Sequence, residues 1–342
     1  MKDLYNHRIS ISGLNLLGKS PRAYKKYIED PRDEESEALR KGSALDCMLT
    51  EPEEFNNRYA VATIDPPGGM MGEFVRHYIT YKLAAVDKEC AEDSYIEDEI
   101  RQMAYKASGF KIKFEAVIKK FEADDIQKYI KFIRDSKGKT ILSPMEHLSA
   151  SGMKEMLLNN EFTKKYLVDL PSNPLIDDIN QLSITWKYKD FECKSILDKV
   201  LVDHNEKRII PIDIKTTSKG ISNFIQSYIR YGYFRQCSFY NDAIRYWLFH
   251  ISEIKDPEAW TIEPFRFIVV DSNLNEFPLV YVCSEKDLFI GKHGGYLPKG
   301  INKLKGFDEL VDELEYYQKT RDWRYTKEVQ EANGEVLMDI FE

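Results

Sequence analysis

The sequence predicts an α/β protein: a central mixed sheet flanked by helices, with a helical insertion. Three observations predict it. Apolar and polar residues alternate with strand period in "LSITWKYKD" (182–190). Two further strand-like runs, "FECKSILDKVLVD" (191–203) and "IIPIDIKTT" (209–217), follow after short polar breaks. The segments before and after them carry apolar residues at three- and four-residue spacing, as helices packed on a sheet would.

Residues 1–60 read as N-terminal helices of the core. Leu14, Leu17, Tyr24, Tyr27 and Ile28 recur with helical period, and "EALRKGSALDCMLTEPEEF" continues in the same style. Residues 70–166 stay helix-prone and charged without strand-like alternation, which predicts a helical insertion within a single domain spanning 1–342. Residues 180–285 form the sheet and its main helix: three strands with a turn near Lys189–Asp190, a long helix from Ser222 to about Phe249, then strands in "PFRFIVVDS" (264–272) and "FPLVYVCS" (277–284). Residues 286–342 hold a last helix, "GFDELVDELEYYQKT" (306–320), and a polar tail.

The 342 residues, 43 % apolar and 31 % charged, match the composition of folded soluble domains, so disorder is not the expectation. No apolar run approaches the roughly 20 residues that span a bilayer, and "MKDLYNHRIS" lacks the apolar stretch of a signal peptide. A cytoplasmic protein with no membrane contact is expected. Cys47, Cys90, Cys193, Cys237 and Cys283 are odd in number and never spaced C-x-x-C, which argues against a disulfide framework, a zinc ribbon or an iron–sulfur cluster. A net charge of −8 argues against a whole-surface affinity for nucleic acid but leaves room for a local basic groove. The charge is segregated: "EDPRDEESE" (29–37) and "CAEDSYIEDE" (90–99) are acidic, whereas "GKSPRAYKKY" (18–27) and "SYIRYGYFR" (227–235) are basic and aromatic.

The stretch "GLNLLGKS" (13–20) fits the phosphate-loop pattern G-x-x-x-x-G-K-[ST]. A phosphate loop must follow a buried strand and let its backbone N–H groups crowd a pyrophosphate, a task that Leu14, Leu16 and Leu17 do not suit. Capping rules account for the same letters: Ser12 as N-cap of a short helix, Gly18 as its left-handed stop, Ser20 as the next N-cap and Pro21 at the first helical position. The one feature on the nucleotide side is "RIIPID", which has the form of an apolar strand ending in a magnesium-binding Asp.

"IIPIDIKTT" carries more chemistry. Period two puts Asp213 and Lys215 on one face and Ile212 and Ile214 on the other, so a carboxylate and an ammonium emerge together from an apolar strand. A structural ion pair is one account, and Glu192–Lys194 and Glu253–Lys255 repeat the spacing elsewhere. The preceding strand adds Asp198 in an apolar context, and strands adjacent in sequence usually pair. Two carboxylates on neighbouring strands repel unless a cation lies between them, and hard oxygen donors suit Mg²⁺ or Mn²⁺. The following helix presents Gln236 and Tyr240 on one face.

These residues resemble a known family. "SILDKVLVDHNEKRIIPIDIKTT" followed by "FRQCSFY" resembles the D…(D/E)-x-K…Q-x-x-x-Y signature of PD-(D/E)XK nucleases, most closely the RecE (exonuclease VIII) type of phages and prophages; "ISISGLNLLGKSPRAYKKYIED" and "EALRKGSALDCMLTEPEEFNNRYAV" are similar to the same group. The resemblance covers about residues 8–61 and 180–248. It implies a restriction-endonuclease-like core and a bacterial or phage-encoded, Mg²⁺-dependent exonuclease that digests linear double-stranded DNA 5′-to-3′, leaving 3′ single strands for an annealing protein in recombination. It further implies a ring-forming homo-oligomer. Asp46, Asp198, Asp213 and the Ile214 carbonyl match the metal donors, Lys215 the catalytic lysine, and Gln236 and Tyr240 the helix motif that holds Lys215 or the scissile phosphate. Asp46 stands where relatives carry His, with Gly42 and Ser43 one turn earlier to let the backbone approach a metal. Gln181 stands near where many have Glu. Lys19, Arg22, Lys25, Lys26, Lys194 and Arg235 are the phosphate-contact candidates. A DNA-end-binding or scaffold protein without catalysis on the same fold is the alternative, ahead of a nucleotide hydrolase.

Overall fold

The computed structural model describes residues 4, 7–30, 36–86, 94–297 and 303–335. Cys90 and parts of both acidic stretches lie outside them. The chain forms two compact units. One is built from the residues up to Pro52 and from Ser149 onward, the other from Glu53–Leu148.

The larger unit opens with helices α1 (Ile11–Leu17), α2 (Pro21–Glu29) and α3 (Glu37–Thr50). "GLNLLGKS" is therefore helix and helix–helix joint, with no strand in front of it. Its capping differs from the expectation at two points. Ser10, not Ser12, is the N-cap and accepts from the Gly13 amide, and Gly18 has φ −61° rather than a left-handed conformation. Ser20 and Pro21 start α2 as expected.

Five main strands make the sheet: β1 (Ile176–Tyr188), β2 (Phe191–Asp203), β3 (Arg208–Thr217), β4 (Arg266–Asp271) and β5 (Leu279–Val282), in that spatial order. β1 starts six residues before the alternating run that announces it. Pairing is antiparallel except for β3 with β4, which run parallel across a helical crossover, so the sheet is mixed. Ile184 and Trp186 of β1, and Cys193 and Leu197 of β2, point to a core closed by α1, α2 and the later helices. β3 is the central strand, and its residues from Ile209 to Ile214 are buried on both faces.

The expected helix from Ser222 to Phe249 is two: α4 (Phe224–Arg230) and α5 (Tyr233–His250). The break falls at Gly232, whose φ of 71° is left-handed and would strain any side chain. α6 (Glu285–His293) packs along α5, and α7 (Phe307–Thr320) seals the core with Phe307, Leu310, Leu314 and Tyr317. Cys47, Cys193, Cys237 and Cys283 are buried and form no disulfide.

The Glu53–Leu148 unit is mainly helical, with helices Gly69–Val86, Ser94–Ser108, Phe114–Phe121 and Asp124–Asp135. Two three-residue strands, Tyr59–Val61 and Thr140–Leu142, pair in parallel. Phe121 centres its core, edge-on to Phe74 and Tyr78. Among the described residues no helix is long and apolar enough to cross a membrane.

Candidate active site

The site begins where two strands part. β2 and β3 pair from Asp203–Arg208 as far as Lys199–Ile212, and there the ladder stops although both strands continue. The next positions in that register are Asp198 and Asp213, so the two carboxylates stand at the mouth of a fork. Asp198 Oδ2 accepts a hydrogen bond from the Ile214 amide at 2.8 Å, joining the two strands by a side chain where the backbone ladder has ended. On β1 the residue in line with Asp198 is Gln181, which the β1–β2 ladder skips. Gln181, Asp198 and Asp213 therefore form one row across three strands.

Asp213 is 1 % exposed. Its Oδ1 accepts from Gln236 Nε2 of α5 at 2.7 Å, and Lys215 Nζ lies 2.5 Å from its Oδ2. That second contact is an ion pair, so Oδ2 is buried against the ammonium. Asp213 and Lys215 thus share a face, as strand period requires. Lys215 also lies 5.2 Å from the centroid of the Tyr233 ring, an attraction between cation and π-face. Tyr240, buried one turn after Gln236, sits with its hydroxyl against the Gln236 amide. Gln236 and Tyr240 therefore brace Asp213 rather than Lys215, because the amide meets the carboxylate first.

Asp46 comes from α3. Its Oδ2 accepts from Gln181 Nε2 at 2.9 Å, while its Oδ1 is buried without a partner. Gln181 Nε2 also reaches Thr50 Oγ1 at 3.3 Å, and Thr50 donates to the Asp46 carbonyl at 2.8 Å. Gly42, one turn before Asp46, lies against β3: a Cβ there would stand 3.4 Å from Thr216 Oγ1. The small residue brings α3 close to the strand, and Ser43 faces solvent.

Electrostatics follow from this crowding. Burial, then repulsion from Asp213, pushes Asp46 up to about 6. Burial and the same repulsion hold Asp198 well above the ordinary carboxylate range. Burial also raises Asp213, against the opposing pull of Lys215 and Gln236. Burial disfavours the Lys215 ammonium, but Asp213 and Asp198 outweigh it and hold the group above the usual lysine range. Three acids and one cation share one low-dielectric pocket.

The basic candidates divide. Lys19, Arg22, Lys26 and Lys194 are exposed, and Lys194 shares a face of β2 with Asp198. Lys25 makes an ion pair with Glu29 at 3.7 Å. Arg235 is half-buried and committed to structure: it donates to Asn15 Oδ1 at 2.7 Å and to the Lys305 carbonyl at 3.0 Å, with its guanidinium over Phe234.

No protein-family model matches the chain, and no curated protein matches it. Among solved structures it is similar to the crystal structure of a "Putative exonuclease" from Eubacterium rectale, at 11 % identity over 98 % of this chain and 91 % of that one, with a TM-score of 0.44.

Proposed function

We propose that the chain is a Mg²⁺-dependent nuclease that hydrolyses phosphodiester bonds of linear double-stranded DNA. The observation that carries this reading is the convergence of Asp46, Asp198, Asp213 and Lys215 at the fork between β2 and β3. Buried carboxylates that repel one another ask for a cation, and hard oxygen donors favour Mg²⁺ or Mn²⁺. The donor set fits: Asp46 Oδ1 is a buried oxygen without a hydrogen-bond partner, and Asp213 Oδ2 is buried against the Lys215 ammonium alone. Asp46, Asp198 and Asp213, with the Ile214 carbonyl that the resemblance adds, would hold the ion.

A divalent ion there would supply positive charge to polarise the phosphate. The remaining chemistry belongs to the chain. The Lys215 ammonium, kept charged by Asp213 and Asp198, orients the attacking water and offsets negative charge growing on the phosphate. Gln236 and Tyr240 keep Asp213 from swinging away from Lys215. Lys19, Arg22, Lys25, Lys26 and Lys194 would meet the DNA backbone. The resemblance also supports 5′-to-3′ digestion from duplex ends by a ring-shaped homo-oligomer that hands 3′ single strands to an annealing protein.

A second reading, end binding without cleavage, is favoured by one observation. Among the described residues, no three acidic, His or Cys side chains already stand at metal-binding separation. End-labelled linear duplex and closed circular duplex, each with and without Mg²⁺, separate the two. Exonuclease action predicts Mg²⁺-dependent loss of the linear substrate alone, abolished by Asp213→Ala and by Lys215→Ala. Retention of both substrates by a protein that still binds ends would establish the second reading.

A further inference from the structure

Gln181 lies in the middle of β1, yet its φ is 50°. A left-handed conformation costs a residue with a side chain on the order of 1 kcal/mol or more, and here it also removes the residue from the ladder: Asn180 pairs with Lys199 and Leu182 with Leu197, while Gln181 pairs with nothing. Strand pairing is regular on both sides, so neither a turn nor a register shift accounts for the distortion. Its local consequence is the path of the side chain, which reaches α3 and donates to Asp46 Oδ2 at 2.9 Å and Thr50 Oγ1 at 3.3 Å.

That contact leaves Asp46 asymmetric. One carboxylate oxygen is occupied by a neutral donor, and the other, Oδ1, is buried with no partner. The amide satisfies Asp46 without adding charge to the row. Once all three carboxylates are ionised, they leave two negative charges against the single Lys215 ammonium, the complement of one divalent ion. A glutamate has the same length as Gln181 but would set oxygen against oxygen at Asp46 and add a further negative charge.

We infer that Gln181 is a positioning residue that aims the free oxygen of Asp46 into the acidic row and, being neutral, limits the site to one divalent cation. The inference rests on the metal-dependent reading above.

Mn²⁺ alone is the probe, titrated into the full chain and followed by electron paramagnetic resonance and calorimetry, with thermal melts confirming that each variant folds. The wild type is expected to bind one Mn²⁺, lost in Asp213→Ala. Gln181→Glu is expected to bind two. Gln181→Met, which keeps the length but removes the donor, is expected to bind one with about 10- to 100-fold weaker affinity, and this arm decides the matter if Gln181→Glu does not fold. Two ions in the wild type, or unchanged affinity in Gln181→Met, overturns the role of Gln181 while leaving a metal site in place. A chain whose Mn²⁺ binding does not depend on Asp213 overturns both the inference and the reading beneath it.

Discussion

The Gln236 amide donates to Asp213 Oδ1 at 2.7 Å, so the central carboxylate of the strand is held from the helix side. Gln236→Ala leaves a buried carboxylate oxygen without its donor, a loss of about 1–3 kcal/mol. Urea denaturation is the measurement. A variant as stable as the wild type would show that Asp213 is held by something else.

Lys215→Met removes the only ammonium among three acids while keeping much of the apolar stem. Hydrolysis is expected to fall by about 10²- to 10⁴-fold. The metal-free variant should also melt below the wild type and gain more from Mg²⁺, because the ion then supplies charge that the ammonium no longer provides. Equal Mg²⁺-induced shifts in melting temperature would contradict that compensation.

Asp46 sets a pH dependence whose sign can be worked out. Its folded value of about 6 lies above the usual 3.8, so between these values the folded chain binds more proton than the unfolded chain. The stability contributed by protonated Asp46 is therefore complete below about pH 4 and is lost as pH rises through about 6. In the absence of metal, Asp46→Asn should stabilise the protein at neutral pH by about 3 kcal/mol, judged by the size of the shift, and bring no gain in acid. Unfolding curves for both proteins at the two pH values test it; an equal difference at both would remove Asp46 as the titrating group.

Gly291 of α6 packs on α5 so closely that an added Cβ would lie 2.0 Å from the Phe234 carbonyl oxygen. Backbone cannot yield as a side-chain tip can. Gly291→Ala should cost about 3 kcal/mol or more, visible as a lowered melting temperature.

The basic residues should separate by measurement. Lys19→Ala, Arg22→Ala and Lys26→Ala each remove an exposed charge. Where that charge neutralises a DNA phosphate, its removal lowers the slope of log affinity against log salt by about 0.9. Arg235→Ala should act on stability instead, since it unties α5 from Asn15 and Lys305.

The sheet and the Asp198–Asp213–Lys215 group were legible because period two fixes which side chains share a face, and sequence-adjacent strands pair. Both rules are local. The break between α4 and α5 had a signal in "RYGYF", where a glycine interrupts the helical pattern. Gln181 had none: "QLSITW" reads as the start of a strand, and the partner its side chain reaches, Asp46 of α3, is 135 positions away along the chain. Arg235 looked like a phosphate ligand because it is a cation in an aromatic stretch, and its partner at Lys305 is 70 residues distant. Tyr233 had no signal beyond its aromatic stretch, and the helix that starts anew after Gly232 carries its ring beside Lys215.

The fork between β2 and β3 makes the protein's own backbone a sensor. The Ile214 amide proton is secured by the carboxylate of Asp198. Whatever draws that carboxylate away, whether a cation, a proton or a substitution, loosens one amide in the central strand of the sheet. Deuterium uptake at this single position would then record events at the acidic row before any substrate is turned over.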